Sequence, residues 1–124
     1  MPNLELDENH AIYQIKAFKP GFIQINERIF TKSLIVSPQQ LLENWSPQTV
    51  DELTSEAFTP IVSLKPNILL IGTGSKLIFP ALELYGDLIN QGIGVEVMDT
   101  SAACRTYNAL SAENRNVVAA LIIK

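Results

Sequence analysis

Two uninterrupted apolar runs, at residues 68–71 and 117–123, constrain the fold of this chain more than any other feature. The first run has no polar face, which is typical of a strand in a parallel sheet that is covered on both sides. Both runs have the length of a strand, and both are far shorter than the ~18 apolar residues of a membrane-spanning helix. The sequence therefore predicts buried strands and no membrane span.

Between and after these runs, the pattern predicts the order strand–helix–strand–helix–strand. Pro80 is predicted to open a helix whose apolar residues recur at steps of three and four, and Gly92 is predicted to end it. Residues 95–98 form the next predicted strand. Asp99 or Thr100 can then cap a second helix, which runs to about residue 110. Because right-handed crossovers place such helices against the sheet, the C-terminal half is predicted to be a small α/β unit.

Residues 10–37 predict β-structure instead. Runs of β-branched and aromatic residues at 10–18, 22–26 and 28–37 are separated by the turn signals at 19–21 and 26–27. This pattern predicts a hairpin or meander of about three short strands packed beside the α/β unit. With 124 residues, the whole chain is predicted to form one domain, residues 1–124.

The middle of the chain predicts a loop and one helix. Residues 39–45 are predicted to be a short loop. Ser46 is placed as the N-cap of a helix with Pro47 at its first position, and apolar residues follow at helical spacing as far as Phe58. Pro60 is predicted to end this helix.

Charge and cysteine content limit the function. The net charge of −4 and the scattered nine cations argue against nucleic-acid binding, which needs clustered Lys and Arg. Cys104, the single cysteine, cannot form an internal disulfide, which fits a reducing compartment. The first ten residues resemble neither a secretory signal nor a mitochondrial presequence. These features predict a cytoplasmic protein, and 124 residues exclude an enzyme with separate cofactor and substrate lobes.

The turn after the first apolar run is a candidate anion site. Gly72, Thr73 and Gly74 follow a buried strand and precede a helix, where free N–H groups attract negative charge. Asp99 ends the next strand, where a dinucleotide-binding protein holds ribose hydroxyls. Leu77 stands where the third glycine of that fingerprint is required. The competing interpretation, which we favour, is a tight turn that requires a positive φ.

The helix after Asp99 carries further candidates. Cys104 lies just past its first turn, where Arg105 could lower the thiol pKa. No base accompanies it, since the single histidine is His10, so a packing role is favoured over a nucleophile. Arg105 is either a carboxylate or phosphate ligand or a surface ion-pair partner. The full candidate ligand-binding set is Gly72, Thr73, Gly74, Asp99, Thr100, Cys104, Arg105, Tyr107 and Asn108.

Other constellations predict little chemistry. One histidine and one cysteine do not make a four-ligand zinc site, so neither a metal nor a cofactor is predicted. Glu113 and Arg115 are interpreted as the solvated end of the last helix. Asn114, between them, can adopt the left-handed conformation of a helix terminus.

Four segments of the sequence, residues 70–74, 92–100, 103–108 and 118–122, resemble the Mth-938-like domain family. The resemblance implies a three-layer α/β fold with a central mixed sheet and added N-terminal β-structure. The family is mostly uncharacterised and includes a mitochondrial complex I assembly factor and an adipogenesis-associated protein. It supplies no catalytic residues. Because no mitochondrial leader is recognised, a bacterial member is expected.

Two functions follow from these considerations. The first is a non-catalytic interaction or assembly protein, with a protein partner or a second copy of itself, and without nucleic acid. It rests on the resemblance and on the lack of a complete catalytic constellation. The alternative is a small-ligand or anion-binding protein, or an enzyme. Its site would be the edge of the sheet where the turns after parallel strands meet.

Overall fold

A computed structural model of the protein describes residues 11–124. Its first three strands form a separate antiparallel sheet, made of β1 (Ile15–Lys19), β2 (Phe22–Ile25) and β3 (Arg28–Phe30). Gly21 and Asn26 form the two connecting turns with φ angles of 97° and 54°. The predicted N-terminal meander is confirmed for these strands.

The other five strands form a central mixed sheet. They are β4 (Leu34–Val36), β5 (Leu41–Leu42), β6 (Ile68–Gly72), β7 (Gly94–Met98) and β8 (Val117–Leu121). Their order across the sheet is β5-β4-β8-β6-β7. β6 pairs in parallel with β7 and β8, whereas β4 is antiparallel to β5 and β8. The most apolar strands, β6 and β8, therefore occupy the interior of the sheet, as their lack of a polar face requires.

Three α-helices accompany the central sheet: α1 (Thr59–Leu64), α2 (Gly86–Asn90) and α3 (Thr100–Ala112). Short 3₁₀ turns lie at Val50–Glu52, Ser55–Phe58 and Leu82–Leu84. The strand–helix–strand–helix–strand order predicted for the C-terminal half is confirmed. Within residues 11–124, the longest helix has 13 residues, and none combines the length and apolarity that a bilayer crossing requires.

Alternate residues of the central sheet enter two different cores. On one face, Leu70, Ala119 and Leu121 pack with Tyr107 of α3 and with the small sheet. On the opposite face, the apolar side chains of β6 and β8 pack against α1, α2 and Trp45. The Trp45 indole N–H donates to the Ala57 carbonyl over 2.8 Å. The result is the expected three-layer arrangement, with the central sheet covered on both faces.

One predicted strand proved to be two. The prediction of a single strand over residues 28–37 is wrong, because β3 ends at Phe30 and the chain crosses to the central sheet before β4 begins at Leu34. Leu34 and Val36 are fully buried, so they belong beside β8 rather than in the half-exposed small sheet. The predicted loop 39–45 also contains the short strand β5. His10 lies outside the described residues, among which the first strand begins at Ile15.

The helix predicted to start at Ser46 and Pro47 and to end before Pro60 is wrong. Two 3₁₀ turns occupy most of that region, and α1 begins at Thr59 with Pro60 in its first turn. Proline lacks the N–H that a first helical turn leaves unused, so Pro60 begins a helix as readily as it ends one. Thr54 caps the second 3₁₀ turn by accepting the Ala57 N–H over 3.2 Å.

Pro80 likewise does not open the next helix. Residues 75–81 are irregular, and helical structure begins at Leu82–Leu84 and continues in α2. The predicted end at Gly92 is confirmed, with a φ of 90° and an N–H that donates to the Ile89 carbonyl over 2.9 Å.

Candidate functional site

The turn after β6 meets the start of α3 at the carboxyl-end edge of the parallel strands. The Thr100 hydroxyl, which is fully buried, accepts the Gly74 N–H over 2.8 Å and donates to the Ile122 carbonyl over 2.6 Å. The Thr100 N–H in turn donates to the Gly74 carbonyl over 3.0 Å. The expectation that the Gly72–Gly74 turn and the Asp99–Thr100 turn meet at one edge is confirmed.

The backbone donors of this turn are directed into the protein. The Thr73 N–H donates to the Met98 carbonyl and the Ser75 N–H donates to the Lys124 carbonyl, both over 3.0 Å. Together with the Gly74 N–H, three consecutive donors are therefore already paired. An anion-binding loop needs such donors free. These bonds favour the interpretation of a tight structural turn.

Both glycines of the turn have steric reasons to be glycine. Gly74 has a φ of 98°, and a Cβ there would lie 2.8 Å from the Lys124 carbonyl oxygen. A Cβ on Gly72 would lie 2.8 Å from the Thr100 hydroxyl oxygen. Close packing thus accounts for both residues without a ligand.

Asp99 serves as the N-cap of α3. Its Oδ1 accepts the Ala102 N–H over 2.8 Å, as the predicted cap requires. This contact engages one carboxylate oxygen that a ribose site would use. The sequence allowed Asp99 to be either a helix cap or a ribose ligand, and the structure contains the cap contact.

The remaining candidates lie further along α3, away from the Gly72–Gly74 turn. Cys104, Arg105 and Asn108 line a shallow cleft of about 160 Å³ against β1, and the Gly72–Gly74 turn does not contribute to it. The Arg105 guanidinium donates to the Ser101 hydroxyl, one turn earlier, over 2.9 Å. The candidate set therefore divides into two groups with separate surroundings.

Cys104 has the environment of a packing residue. It is 5% exposed, and burial raises the pKa of its thiol to about 12, although the charge of Arg105 acts in the opposite direction. A thiol with that pKa is protonated at neutral pH, and the thiolate is the nucleophilic form. This environment favours the packing interpretation.

Tyr107 and Asn108 attach the N-terminal strand to α3. The Tyr107 hydroxyl donates to the Tyr13 carbonyl over 2.7 Å, and burial raises its pKa above the ordinary range. The Asn108 side-chain oxygen accepts the Ile15 N–H over 3.1 Å, and its side-chain nitrogen donates to the Ile15 carbonyl over 2.7 Å. The Asn108 amide thus extends the edge of β1 like a strand residue.

A larger cavity, of about 400 Å³, lies at the opposite, amino-end edge of the parallel strands. Its walls come from the ends of β4, α1 and α3 and from the residues before β8, including Ser37, Leu64, Ser111 and Arg115. Glu113 and Arg115 are exposed, as the interpretation of a solvated helix end requires, but the cavity was not predicted. Contributions from four separate segments leave no local sequence signal.

An exposed apolar segment follows the Gly72–Gly74 turn. Leu77, Ile78, Phe79 and Leu82 are 51%, 47%, 70% and 60% exposed. The same 3₁₀ turn that carries Leu82 places Leu84 in a groove of about 230 Å³ between α1 and α2. We call residues 77–82 the apolar segment and this cleft the α1–α2 groove. Consecutive exposed apolar residues of this kind mark interaction sites.

Metal ligation finds no support in the part of the chain that the structure describes. No group of three or more His, Cys, Asp or Glu side chains within residues 11–124 is arranged to hold an ion.

The chain belongs to the family described as "Protein of unknown function (DUF498/DUF598)", whose model matches residues 15–122. It is 32% identical over 123 residues to the 13 kDa major membrane protein of Francisella tularensis, covering 98% of this chain and 100% of that protein. It is 34% identical over 110 residues to the zebrafish NADH dehydrogenase (ubiquinone) 1 alpha subcomplex assembly factor 3. That alignment covers 87% of this chain and 63% of the assembly factor.

A solved structure confirms the fold and the Mth-938-like resemblance. The solution structure of a Bordetella pertussis protein, described as a Mth938-like domain, superimposes with a TM-score of 0.82 at 29% identity. The match covers 98% of this chain and 92% of the Bordetella chain.

Proposed function

We propose that this protein is a non-catalytic interaction protein that binds a protein partner through the apolar segment and the adjoining α1–α2 groove. The observation that carries the proposal is the run Leu77-Ile78-Phe79, three consecutive apolar side chains that are about half exposed or more. Fully burying an exposed side chain of this kind yields roughly 1.5–3 kcal/mol, so covering these partly exposed side chains on a partner yields about half of that each. The fold does not need them for its core, so their exposure calls for another explanation.

The groove indicates the charge of the partner. Glu56 and Asp87 line it together with the apolar Phe58, Val62, Leu84 and Leu88, and none of the described lining residues is basic. Charge complementarity at interfaces suppresses wrong partners and speeds association. The partner segment is therefore expected to carry Lys or Arg beside apolar residues.

The relatives supply the biological setting of the proposal. Proteins named as assembly factors for NADH dehydrogenase share about 30% identity with this chain, which spans about two thirds of their length. By analogy, the partner is a subunit or a second assembly protein of a respiratory complex. Fold-level analogy of this kind supports a class of partner rather than a particular one.

A membrane surface is the competing occupant of the apolar segment, since one relative is named a membrane protein. The acidic groove disfavours it, because anionic lipid headgroups attract basic segments and repel carboxylates. We therefore expect the segment to bind protein.

The test replaces Phe79 and Leu82 together by serine in the full chain. A photoreactive residue in place of Ile78 should cross-link the parent chain to purified NADH dehydrogenase subunits of the same organism, and this cross-linking should be lost in the double variant. The urea midpoint of unfolding should move little, because Phe79 and Leu82 are both exposed. Ile29→Ser is the matched control, since Ile29 is 61% exposed on the small sheet. Cross-linking that survives the double substitution contradicts the proposal. So does stronger binding of the parent to anionic lipid vesicles than to the subunits.

The alternative predicted from the sequence, a ligand site or enzyme at the Gly72–Gly74 turn and Asp99–Arg105, stays a prediction. The paired backbone donors and the protonated Cys104 thiol do not favour it. A thermal-shift screen with nucleotides, phosphate and carboxylates tests it directly. A ligand at ~100 times its dissociation constant stabilises by about 2.7 kcal/mol. We expect Arg105→Ala to leave every such shift unchanged.

A further inference from the structure

The cavity at the amino-end edge is large enough for a small molecule. At about 400 Å³, it falls in the size range of ligand sites, which combine apolar walls with a few convergent polar groups. Pro38 and Leu64 supply apolar surface, and Gln40, Asn114 and Arg115 supply polar side chains. These residues belong neither to the apolar segment nor to the candidate set at the other edge.

The charge of the cavity differs from that of the chain. The chain carries a net charge of −4, yet the ten described residues that line the cavity include one cation, Arg115, and no carboxylate. The one ion pair within residues 11–124 joins Arg28 and Glu43, so no described carboxylate forms an ion pair with Arg115. The described lining of the cavity therefore carries a positive charge in an acidic protein, and this charge favours an anion.

The backbone beside Arg115 is fixed. The Asn114 N–H donates to the Ser111 carbonyl and the Arg115 N–H donates to the Leu110 carbonyl, both over 3.0 Å. Asn114 adopts a φ of 60°, as a residue that ends a helix in the left-handed region does. The main-chain atoms are thus occupied, whereas the Asn114 amide and the Arg115 guanidinium form no hydrogen bond with any side chain in the described part of the chain.

We propose that this cavity binds a small organic carboxylate. The Arg115 guanidinium would hold both carboxylate oxygens, because its planar fork matches that geometry. The Asn114 and Gln40 amides would donate to the same group, and Pro38 and Leu64 would contact the apolar body of the ligand. The negative end of the α3 dipole opposes an anion here. That effect is screened by solvent and is confined to the last turn, whereas charge-assisted bidentate pairs are about twice as strong as neutral hydrogen bonds.

The experiment follows the backbone amide and arginine side-chain NMR signals of the ¹⁵N-labelled full chain. Benzoate, its neutral analogue benzamide, and inorganic phosphate are each added up to about 10 mM, which detects millimolar dissociation constants. We expect benzoate to shift the signals of residues 37–40 and 111–116 saturably. Benzamide should bind at least about tenfold more weakly. Phosphate should also bind more weakly, because it makes no apolar contact.

Two substitutions localise the charge. Arg115→Gln should weaken benzoate binding at least about tenfold, whereas Lys19→Gln, which removes one positive charge from the exposed β1 end, should leave it within about twofold. The spectrum of each variant shows directly whether it is folded. Shifts that persist in Arg115→Gln, or no saturable shift with benzoate in the parent, overturn the proposal.

Two further outcomes also overturn it. Phosphate that binds as tightly as benzoate excludes the carboxylate assignment. Asp7 and Glu8 precede Ala11, a lining residue, by a few positions, so the doubly neutralised variant Asp7→Asn/Glu8→Gln is a necessary comparison. If benzoate binds only that variant, Arg115 serves a carboxylate of the chain itself. Equal binding to the parent and the variant supports an external ligand.

Discussion

The two edges of the central sheet differ in how the polar groups of their turns are paired. At the carboxyl-end edge, the backbone N–H groups of residues 73–75 are all paired, with the Met98 carbonyl, the buried Thr100 hydroxyl and the Lys124 carbonyl. At the amino-end edge, the main chain is also bonded, but the Asn114 and Arg115 side chains line an open cavity.

The contrast shows that a glycine-rich turn in the expected position is weak evidence for a binding site. What matters is whether its N–H donors already have partners in the protein, because a buried unpaired donor is costly and nearly all buried donors are therefore paired. Here the carboxyl-end edge, whose donors are paired, contributes to stability, and the amino-end edge, which we call the open edge, leaves polar side chains available to a ligand. Five experiments can break or sharpen this distinction.

The largest effect is expected from Thr100→Val. The substitution keeps the shape of the side chain but leaves the buried Gly74 N–H and Ile122 carbonyl without their hydroxyl partner. We expect a loss of about 2–4 kcal/mol in the free energy of unfolding, measured by urea denaturation. The control is Thr106→Val on the same helix, which should change it by less than about 0.5 kcal/mol. Equal losses in the two variants would mean that the hydrogen bonds of the Thr100 hydroxyl do not contribute to stability.

Gly74→Ala should be the next most damaging change. The new Cβ would lie 2.8 Å from the Lys124 carbonyl oxygen at a φ of 98°, so both a clash and a strained backbone result. We expect a loss of about 2–3 kcal/mol. Gly21→Ala isolates the backbone cost, since Gly21 has a φ of 97° with nothing within 4 Å, and it should lose about 1–2 kcal/mol. A Gly74→Ala loss no greater than this would exclude the close contact.

An intermediate effect is expected from titration of Cys104 over the first pH unit above 9. Its pKa rises from 9.0 in the unfolded chain to about 12 in the folded one, so above pH 9 the unfolded state releases the proton and the native state keeps it. Stability should therefore fall as the pH rises from 9 towards 12, by up to about 1.4 kcal/mol per pH unit from this group. The slope between pH 9 and 10 should be smaller in Cys104→Ala.

Thiol reactivity checks the same burial independently. At pH 8 an alkylating reagent should modify Cys104 much faster in urea than in the native protein. Fast native modification would restore the nucleophile interpretation.

The smallest effect is expected at the open edge. Arg115→Gln and Asn114→Gly should each change the free energy of unfolding by less than about 0.5 kcal/mol, because neither side chain has a described partner and glycine keeps the left-handed φ. Urea denaturation of both variants beside Thr100→Val measures the contrast directly. A loss above about 2 kcal/mol at Arg115 would mean that both edges are structural.

The C-terminal half of the fold could be predicted because its signals are local. The apolar runs of β6 and β8 predict buried strands, and Asp99, as an N-cap residue, predicts the start of α3. Pro60 was misassigned because a proline is compatible both with the first turn of a helix and with the end of one. The helical structure after Pro80 begins two residues later than predicted, at Leu82. The division at residues 31–33 depended on tertiary pairing with β8, which no local pattern encodes.

The candidate site was predictable only as a meeting of turns. The sequence placed Thr73 and Thr100 at one edge, but it could not show that Thr73 bonds to Met98 while Thr100 bonds to Gly74 and Ile122. The amino-end cavity left no signal for the reverse reason, since its lining residues are ordinary ones from segments that are distant in the sequence.

The placement of Trp45 has a practical consequence. It is the single tryptophan of the chain, and its ring centroid lies 5.9 Å from that of Phe58, in the core between the central sheet and α1. Its fluorescence therefore reports one layer of the protein, whereas Tyr107 occupies the other. Intrinsic emission followed beside circular dichroism would reveal whether the two layers melt together or in sequence.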